Sequence, residues 1–375
     1  MPFSIETPDG VTRIRLHVGG EGDVTLPPMW LRERSTHPTQ LDTTSGQRLF
    51  DPHLLGADLS VADAVIDNAG DLIVRFSDGH CDRFNEAALV EFIDLPDGLP
   101  RPAPWSAATT ANLPAHRWTD VANDDTAMLK ALADFLRIGA IVITGAPTTE
   151  GTVATVAEHF GFVRETNFGR IFDVRSVPNP NDLAYTSGAL GPHTDNPYRT
   201  PVPGIQLLHC LVNETEGGDS TLVDSLAVVE QLRSENPEWF DVLATTPVQF
   251  RFRDATTDLR SMRTVIERDA AGLVTGLNYS PRLDHLPLLT IEQTHLYQSA
   301  RHRLAELLRD PSFELRLRLQ PGDVEMFAND RVLHGRSAYD PNQGMRHLQG
   351  CYIDADGPRS RYRMLAPDVR RPERS

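Results

Sequence analysis

The segment Leu190-Gly-Pro-His-Thr-Asp-Asn-Pro197 places His193 and Asp195 two residues apart, between two prolines. Each proline fixes its own φ angle and interrupts regular backbone hydrogen bonding, so the segment is predicted to be a short extended piece. On a strand, side chains at positions i and i+2 point to the same side. An imidazole and a carboxylate would then face one point, although 13 histidines and 52 acidic residues make chance pairs common.

A second segment, Asn329-Asp-Arg-Val-Leu-His-Gly-Arg336, follows a Pro-Gly-Asp turn and an apolar run. Its histidine, His334, would add a third ligand to His193 and Asp195. Two imidazoles and one carboxylate on one face of a metal leave coordination positions open, as in non-haem Fe(II) oxygenases. We therefore predict that a metal ion binds His193, Asp195 and His334, and that these residues form the catalytic centre.

Arg346 lies 12 residues beyond His334. A guanidinium binds a carboxylate through two parallel hydrogen bonds, so Arg346 is a candidate to hold the far end of a metal-bound dicarboxylate, with an ordinary ion pair as the alternative. Arg336 is interpreted either as a helper near the same ligand or as a salt-bridge partner. His209 and His347 are interpreted as core or supporting histidines rather than metal ligands.

The rest of the chain combines strand-like alternation with a few helical patterns. Strand-like runs and turns fill the first 100 residues, and a proline-rich linker follows at 95–104. We predict a small β-rich domain over residues 1–100 and a larger domain over 105–375. Periodicity within the larger domain predicts helices over 124–138, 225–234 and 290–308, and strands over 139–144, 248–253 and 263–267.

Several short motifs are distributed along the chain: Trp30-Leu-Arg32, Ala184-Tyr-Thr186, His193-Thr-Asp195, Gln206-Leu-Leu-His-Cys210, Gly217-Gly-Asp-Ser220, Leu333-His-Gly335 and Arg346-His-Leu-Gln-Gly350. Together they resemble those of the Fe(II)- and 2-oxoglutarate-dependent dioxygenases of the taurine dioxygenase superfamily. Within it, the chain is similar to gamma-butyrobetaine hydroxylases and to relatives that hydroxylate trimethyllysine or trimethylammonioethylphosphonate. The resemblance covers nearly the whole chain and is more specific for the family than for the substrate.

The resemblance implies a mostly β fold with flanking helices, in which a double-stranded β-helix (jelly roll) follows the small N-terminal domain. It implies Fe(II) bound by the three predicted ligands, 2-oxoglutarate as co-substrate held by Arg346 and Ser220, and O2 as the oxidant. The reaction would hydroxylate a small zwitterionic trimethylammonium substrate and release succinate and CO2. A homodimer is usual among such relatives.

The positions that surround the quaternary ammonium group in the butyrobetaine-hydroxylating relatives are all aromatic here: Phe168, Phe172, Tyr185 and Tyr352. A trimethylammonium group has no N–H to donate and is recognised by aromatic faces; ordinary core packing is the alternative. At the other end of the substrate, Ser280 takes the place of an asparagine, and Arg282 follows closely. A hydroxyl and a guanidinium suit an anion more highly charged than a carboxylate, such as a phosphonate.

The relatives usually bind a structural zinc ion in the N-terminal domain, through a cysteine cluster and a later histidine. The cluster position here is Ser35-Thr-His-Pro38, which contains no cysteine. A closed zinc site takes four ligands, and His37, His80 and Cys81 offer three at most. We expect these residues to be ordinary surface or core residues, and the domain to be held by packing.

The bulk composition narrows the class of partner and compartment. A net charge of −16 makes a nucleic-acid partner unexpected and is compatible with a cationic substrate. Three widely spaced cysteines argue against a disulfide scaffold and fit a reducing compartment. Since the sequence shows neither a signal-peptide pattern nor an apolar run of transmembrane length, we expect a cytoplasmic protein without a membrane partner.

Two other functions remain open at this point. The first is the same chemistry on a sulfonate or another amine that needs no aromatic cage. The second is a non-catalytic double-stranded β-helix protein that binds a ligand or senses metal. Retention of all three metal ligands and of Arg346 argues against the second function.

Overall fold

The computed structural model describes residues 2–18, 22–93, 98–175 and 186–366. Its two compact units contain Met1–Gly98 and Leu99–Ala366, respectively. Antiparallel sheets dominate both units, so the fold is mostly β with several helices, as predicted. Among the described residues, none of the helices combines the length and the hydropathy needed to span a bilayer.

The first unit contains two three-stranded antiparallel sheets whose strands follow chain order. Its elements are β1 (Phe3–Glu6), β2 (Arg13–Val18), β3 (Gly22–Leu26), α1 (Pro28–Arg32), β4 (Val61–Ile66), β5 (Leu72–Phe76), β6 (Cys81–Phe84) and α2 (Glu86–Ile93). Burial alternates along β2 and β5, because successive side chains point to opposite faces. One apolar core joins both sheets to α1 through residues such as Leu16, Leu31 and Val74.

A hydrogen-bond network surrounds His80, one of the three residues considered as possible zinc ligands. The hydroxyl of Ser35 donates to the Asp82 carboxylate and lies 3.0 Å from Nε2 of His80. The same His80 nitrogen is 3.5 Å from Asp82. His37 contacts His80 edge to face, with ring centres 5.7 Å apart, and its Nδ1 is 2.8 Å from the Thr39 hydroxyl. These polar side chains therefore pair with one another.

We expect the N-terminal unit to bind no stoichiometric zinc. Structural zinc takes four nitrogen or sulfur ligands, and the Nε2 atom of His80 is already hydrogen-bonded to Ser35 and lies at ion-pair distance from Asp82. The measurement is elemental analysis of protein purified without added metal, after a chelator has removed iron. A full equivalent of zinc that survives the chelator, and is lost in His80→Ala, would contradict the prediction.

The second unit contains two larger sheets, a three-stranded sheet (β15-β14-β18), a two-stranded sheet (β16-β17) and most of the helices. Its strands are β7 (Ala115–Arg117), β8 (Ala140–Thr144), β9 (Val163–Arg164), β10 (Phe172–Val174), β11 (Leu190–His193), β12 (Ile205–Asn213), β13 (Ser220–Asp224), β14 (Val248–Arg253), β15 (Asp258–Arg263), β16 (Ile266–Arg268), β17 (Val274–Leu277), β18 (Asp284–His285), β19 (Glu314–Leu317), β20 (Val324–Ala328), β21 (Val332–Arg336) and β22 (Arg346–Ile353). Its helices are α3 (Trp118–Asn123), α4 (Asp125–Ile138), α5 (Thr152–Glu158), α6 (Ser225–Glu235), α7 (Pro237–Thr245), α8 (Ile291–Leu307) and α9 (Asp356–Leu365).

The two larger sheets share one of the apolar clusters of this unit. One runs in the order β10-β22-β12-β20-β8-β7, with β9 also paired to β22, and the other in the order β11-β21-β13-β19. Leu222 of the second sheet and Phe327 of the first belong to one apolar cluster with Trp105. Helices α4 and α5 pack on the larger sheet through a separate cluster that includes Met128 and Val156. Other residues of both sheets, among them Gln206 and Ser220, line one cavity.

Most predicted elements of the second unit are present. Helix α4 confirms the prediction for 124–138, and it is followed by Gly139, whose φ of 83° suits a residue without Cβ. The single strand predicted over 263–267 is wrong. Strand β15 ends at Arg263 and β16 begins at Ile266, because the Thr264 hydroxyl donates to the Ile266 carbonyl (2.8 Å) and turns the chain.

A buried ion pair fixes the end of β13 beside the start of β21. Arg331 donates to the two oxygens of Asp224 at 3.0 and 2.9 Å, and the Asp224 side chain is fully buried. Asp224 also accepts the backbone N–H of Leu226 at the start of α6, and that of Trp105. Breaking such a pair costs roughly 3–5 kcal/mol, so the strand that carries His334 begins at a well-fixed point.

Candidate active site

Strands β11 and β21 bring the two predicted histidine ligands together. The strands are antiparallel, and His193 lies opposite His334 in their register. The two imidazole centres are 4.3 Å apart. Phe327 packs on the His334 ring at a centre-to-centre distance of 4.8 Å. Sheet pairing therefore joins ligands that are distant in the sequence.

Asp195 does not share a strand with His193, so that part of the prediction is wrong. Strand β11 ends at His193, and its pairing with β21 is irregular between Leu190 and His193. Asn329, which the sequence analysis missed, holds Asp195 in place. Its side-chain oxygen accepts the Asp195 backbone N–H at 2.7 Å, and its amide donates to the Asp195 carbonyl at 2.9 Å. The carboxylate reaches the histidines from a bend rather than from a strand.

The three predicted ligands converge. One ligand atom from each of His193, Asp195 and His334 lies within 4.8 Å of the others. Nε2 of His193 is 3.5 Å from one carboxylate oxygen, and Nε2 of His334 is 3.8 Å from the other. The hydroxyl of Tyr352 donates to Oδ2 of Asp195 at 2.7 Å. In the described part of the chain, no second group of three or more such side chains is arranged to hold a metal ion.

The protonation states of these residues suit metal binding. Nδ1 of His193 lies 3.0 Å from the carbonyl oxygen of Gly191, which can only accept, so the proton sits on Nδ1 and Nε2 presents its lone pair. Burial and the nearby His193 lower the pKa of His334 to about 3, so that ring is neutral at physiological pH. Burial raises the pKa of Asp195, but His334, His193 and the Tyr352 hydroxyl bring it below its usual value. Neutral imidazoles and a carboxylate are the forms that bind metal.

Arg346 has one buried guanidinium nitrogen, Nη1, to offer to a ligand. Its Nε and Nη2 donate to the Gly218 carbonyl at 3.2 and 2.9 Å, while Nη1 is buried without a hydrogen-bond partner among the described residues. Position 218 requires glycine, because its φ is +70° and a Cβ there would lie 2.6 Å from Nε of Arg346. Ser220, which is 5% exposed, lines the same cavity. This pair fits an incoming carboxylate, which would satisfy the unpaired N–H.

The predicted metal ligands, Arg346 and Ser220 open onto one cavity of about 970 Å³, counted out to its solvent-open mouth. Three of the four predicted cage residues, Phe168, Phe172 and Tyr352, lie in its wall. The ring centres of Phe172 and Tyr352 are 5.2 Å apart. Gly350 makes room for the Phe172 ring, since a Cβ there would lie 2.5 Å from it. Tyr185 lies outside the described residues.

Two further aromatic residues, Tyr198 and Phe252, line the cavity and were missed in the sequence analysis. The Phe252 ring stacks on Tyr198 at 5.2 Å and meets Phe168 edge to face at 5.8 Å. Phe252 comes two residues after the buried Phe250 on β14, and this alternation was a usable signal. No pattern in the sequence marks Tyr198.

The predicted anion-binding residues, Ser280 and Arg282, also lie in the cavity wall. They follow Tyr279, whose backbone N–H donates to the Thr194 hydroxyl at 2.9 Å and whose carbonyl accepts the Thr194 N–H at 2.8 Å. Thr194 stands between the first two metal ligands. The turn that carries Ser280 and Arg282 is therefore tied directly to the metal-ligand segment.

The other polar candidates have different surroundings. Arg336 lines the cavity and donates to backbone carbonyls in the 186–188 segment. His347 lies 2.7 Å from the Asp173 carboxylate. His209 is buried, neither of its ring nitrogens is hydrogen-bonded within the described residues, and burial lowers its pKa to about 4. Both histidines lie outside the metal-ligand cluster.

The sequence matches the taurine catabolism dioxygenase TauD, TfdA family over residues 100–352. It is 34% identical over 344 residues to gamma-butyrobetaine dioxygenase from Pseudomonas sp. (strain AK-1), which covers 90% of this chain and 89% of that protein. Mitochondrial trimethyllysine dioxygenase from Bos taurus is 27% identical over 364 residues, covering 90% and 82%. The solved structure of an asparagine oxygenase in complex with Fe(II), 2S,3S-3-hydroxyasparagine and succinate superposes with a TM-score of 0.50 at 18% identity, over 61% of this chain and 79% of that one.

The chain belongs to the TauD/TfdA family of dioxygenases. The resemblance inferred from the motifs is confirmed, and the protein is an Fe(II)- and 2-oxoglutarate-dependent dioxygenase that uses O2. Its donor set of two neutral imidazoles and one carboxylate fits Fe(II) with open positions. The non-catalytic alternative is therefore dropped.

Proposed function

We propose that this enzyme hydroxylates a small trimethylammonium zwitterion. One observation carries the proposal: the metal-ligand cluster and a wall of aromatic rings, including Phe172 and Tyr352, open into the same cavity. The relatives named as gamma-butyrobetaine and trimethyllysine dioxygenases support this class of substrate. The two candidates are a gamma-butyrobetaine-like carboxylate and 2-(trimethylammonio)ethylphosphonate.

The finer description of the fold is also a proposal. The mainly antiparallel pairing of the two larger sheets and the likeness to the asparagine oxygenase support a double-stranded β-helix in the catalytic domain, residues 105–375. The β-rich unit before it is proposed to be a separate N-terminal domain, residues 1–100. A homodimer, a cytoplasmic location and the absence of a nucleic-acid partner stay predictions.

His193, Asp195 and His334 would hold Fe(II). The chemistry that bound Fe(II) supplies is the activation of O2, coupled to decarboxylation of 2-oxoglutarate to succinate and CO2. The protein supplies position: Asn329 fixes the Asp195 backbone, and Tyr352 holds one Asp195 oxygen through its hydroxyl. Because these groups are set by hydrogen bonds before any ligand arrives, little reorganisation is needed at the reacting centre.

Arg346 and Ser220 would hold the distal carboxylate of 2-oxoglutarate. The unpartnered Nη1 of Arg346 provides a charge-assisted hydrogen bond, and a carboxylate there would relieve the cost of leaving that N–H unsatisfied. Gly218 supports this arrangement, because its carbonyl anchors the other two guanidinium nitrogens. The guanidinium is thereby aimed before the co-substrate enters.

The two ends of the substrate would be recognised by different parts of the cavity. Phe168, Phe172 and Tyr352 offer ring faces to the trimethylammonium group, each worth about 0.5–2 kcal/mol. Ser280 and Arg282 offer a hydroxyl and a guanidinium to the anion. A phosphonate carries more charge and more acceptor oxygens than a carboxylate, so Arg282 favours the phosphonate.

The proposed function is tested by succinate release in the presence of Fe(II), 2-oxoglutarate and O2. The panel contains gamma-butyrobetaine, trimethyllysine, 2-(trimethylammonio)ethylphosphonate, taurine and the dimethylamino analogue of gamma-butyrobetaine. We expect a trimethylammonium compound to stimulate succinate release above the substrate-free rate, with a hydroxylated product by mass spectrometry. Stimulation by taurine alone would favour the sulfonate alternative and overturn the proposal.

Arg282→Ala is expected to lower kcat/KM for the phosphonate more than for gamma-butyrobetaine. Loss of hydrogen bonds to a charged group costs ~1.5–3 kcal/mol, which is roughly ten- to hundredfold at ~1.4 kcal/mol per factor of ten. Both substrates are assayed with both forms of the enzyme.

Phe172→Leu is the matched control for the Arg282 variant, because it removes a ring from the cationic end and keeps an apolar side chain. It should weaken both substrates by similar factors. Equal losses for the two anions in Arg282→Ala would exclude Arg282 as the anion selector.

A further inference from the structure

An acidic residue that the proposed chemistry does not use lies in the sheet interior. Glu325, the second residue of β20, is 1% exposed and sits between the buried apolar residues Val324 and Met326. Neither of its carboxylate oxygens has a hydrogen-bond partner of ordinary geometry in the described part of the chain. A buried carboxyl without full hydrogen bonding is costly, so its retention calls for a reason.

Glu325 stands on the face of β20 that borders the cavity. In the sheet register it lies between Leu208 of β12 and Val142 of β8, and Leu208 lines the cavity. Two polar groups of the cavity, the Ser220 hydroxyl and the Arg346 guanidinium, lower the pKa of the Glu325 carboxyl and so oppose the effect of burial. These are the residues proposed to hold the distal carboxylate of 2-oxoglutarate.

Among the described residues, one positive charge acts on Glu325. Strand β8 contributes apolar Val142, β12 contributes Leu208 and then Cys210, and the facing sheet contributes Ser220. Burial raises the pKa of the Cys210 thiol to about 11, so the thiol stays neutral. Arg346 of β22 is the charged residue that acts on Glu325 within the described chain.

The charges around Arg346 change when a dicarboxylate binds. Without the dicarboxylate, the Arg346 guanidinium acts on one carboxyl group, that of Glu325. Burial raises the pKa of this carboxyl to about 7, although Ser220 and Arg346 lower it, so its protonated and ionised forms are both populated near neutral pH. The distal carboxylate would bring a second negative charge to the same cation. A second carboxylate nearby raises the pKa of a carboxyl group, so the one with the poorer partners takes up a proton more readily.

The single hydroxyl proton of Ser220 also links the protonation of Glu325 to binding of the co-substrate. A serine hydroxyl donates one hydrogen bond and accepts others. If Glu325 is ionised, that proton is drawn to Glu325, and Ser220 turns its lone pairs toward the co-substrate carboxylate. If Glu325 is protonated, it can donate to the Ser220 oxygen, and Ser220 can donate to the co-substrate.

We propose that binding of 2-oxoglutarate is coupled to the uptake of one proton by Glu325, and that the protonated carboxyl orients the Ser220 hydroxyl toward the bound co-substrate. The inference rests on the proposed placement of the distal carboxylate beside Arg346. Glu325 is thus a positioning residue that does not touch the reacting atoms. The affinity for 2-oxoglutarate should fall as the pH rises above the pKa of Glu325, by up to about tenfold per pH unit.

Titration calorimetry measures this proton directly. Anaerobic Fe(II)-loaded enzyme is titrated with 2-oxoglutarate at pH 8 in buffers of different ionisation enthalpy, and the slope of the observed enthalpy gives the protons exchanged. At pH 8, above the pKa of about 7, most of the Glu325 carboxyl is ionised, so we expect uptake approaching one proton. Glu325→Gln should bind 2-oxoglutarate with no uptake and with an affinity that does not depend on pH, because its amide can donate permanently.

Two controls separate the proposal from a general effect of charge. Asp323→Asn removes another acid, at the turn before β20, whose pKa burial also raises; this variant should keep the uptake. 2-Oxobutyrate lacks the distal carboxylate and should bind the wild-type enzyme without proton uptake.

Wild-type enzyme that binds 2-oxoglutarate at pH 8 without taking up a proton would overturn the inference, even if Glu325→Gln fails to fold. Undiminished uptake in a folded Glu325→Gln variant would overturn it as well. Failure of the wild-type enzyme to bind 2-oxoglutarate at all would instead overturn the proposed function, so the two failures are distinguishable.

Discussion

Asp195→Ala is expected to abolish both succinate release and substrate hydroxylation. Two histidines alone cannot hold Fe(II) in an open facial site, and the ligand removed is the only anionic member of the cluster. His193→Ala should have the same result, because it also leaves two ligands. The measurements are iron bound per chain after anaerobic loading, and turnover of 2-oxoglutarate with substrate present.

Asp354→Asn is the control for these variants, because it also replaces one aspartate carboxylate. Asp354 is an exposed residue that pairs with Arg164, and its loss should leave iron content and turnover nearly unchanged. Near-normal turnover in Asp195→Ala would refute the metal-site assignment.

Arg346→Ala is expected to raise the apparent KM for 2-oxoglutarate far more than that for the trimethylammonium substrate. Removing one partner of a buried charged hydrogen bond costs roughly 2–5 kcal/mol, which corresponds to an increase of about thirtyfold or more at ~1.4 kcal/mol per factor of ten. Steady-state kinetics with each substrate varied in turn separates the two constants.

Arg346→Lys is the matched variant for this measurement. It keeps the charge and loses the planar fork that bonds both to the Gly218 carbonyl and to an incoming carboxylate. Its KM for 2-oxoglutarate should lie between those of the wild type and Arg346→Ala. A rise confined to the KM of the trimethylammonium substrate would place Arg346 in the other half of the cavity.

The metal ligands could be predicted from the sequence because each lies in a short motif with recognisable neighbours. The short distance between His193 and His334 could not be predicted, because it depends on the register of β11 and β21. The orientation of Asp195 was predicted from strand geometry, whereas Asn329 sets it from 134 residues away. Local periodicity cannot reveal a hydrogen bond between residues so far apart in the sequence.

A similar division applies to the helices and to the cavity wall. Helix α4 was predictable because its apolar residues recur at helical spacing over a long stretch. Helix α7 was missed, although Asn236 and Pro237 form a recognisable N-cap and first turn. Glu325 could not be singled out from the sequence, because residues 324–328 have the pattern of an ordinary buried strand. Its surroundings depend on Ser220 and Arg346, which lie on other strands.

The hydrogen bonds between Asn329 and Asp195 have a consequence for synthesis of the protein. A ribosome adds about 5–20 residues per second, so Asn329 is made on the order of ten seconds after Asp195, which precedes it by 134 residues. Until then the segment that carries two of the iron ligands has neither its clamp nor its partner strand β21. During this interval strand β11 is unpaired and the metal site is incomplete. Chaperones and unrelated metal ions can therefore compete for the nascent chain in this period.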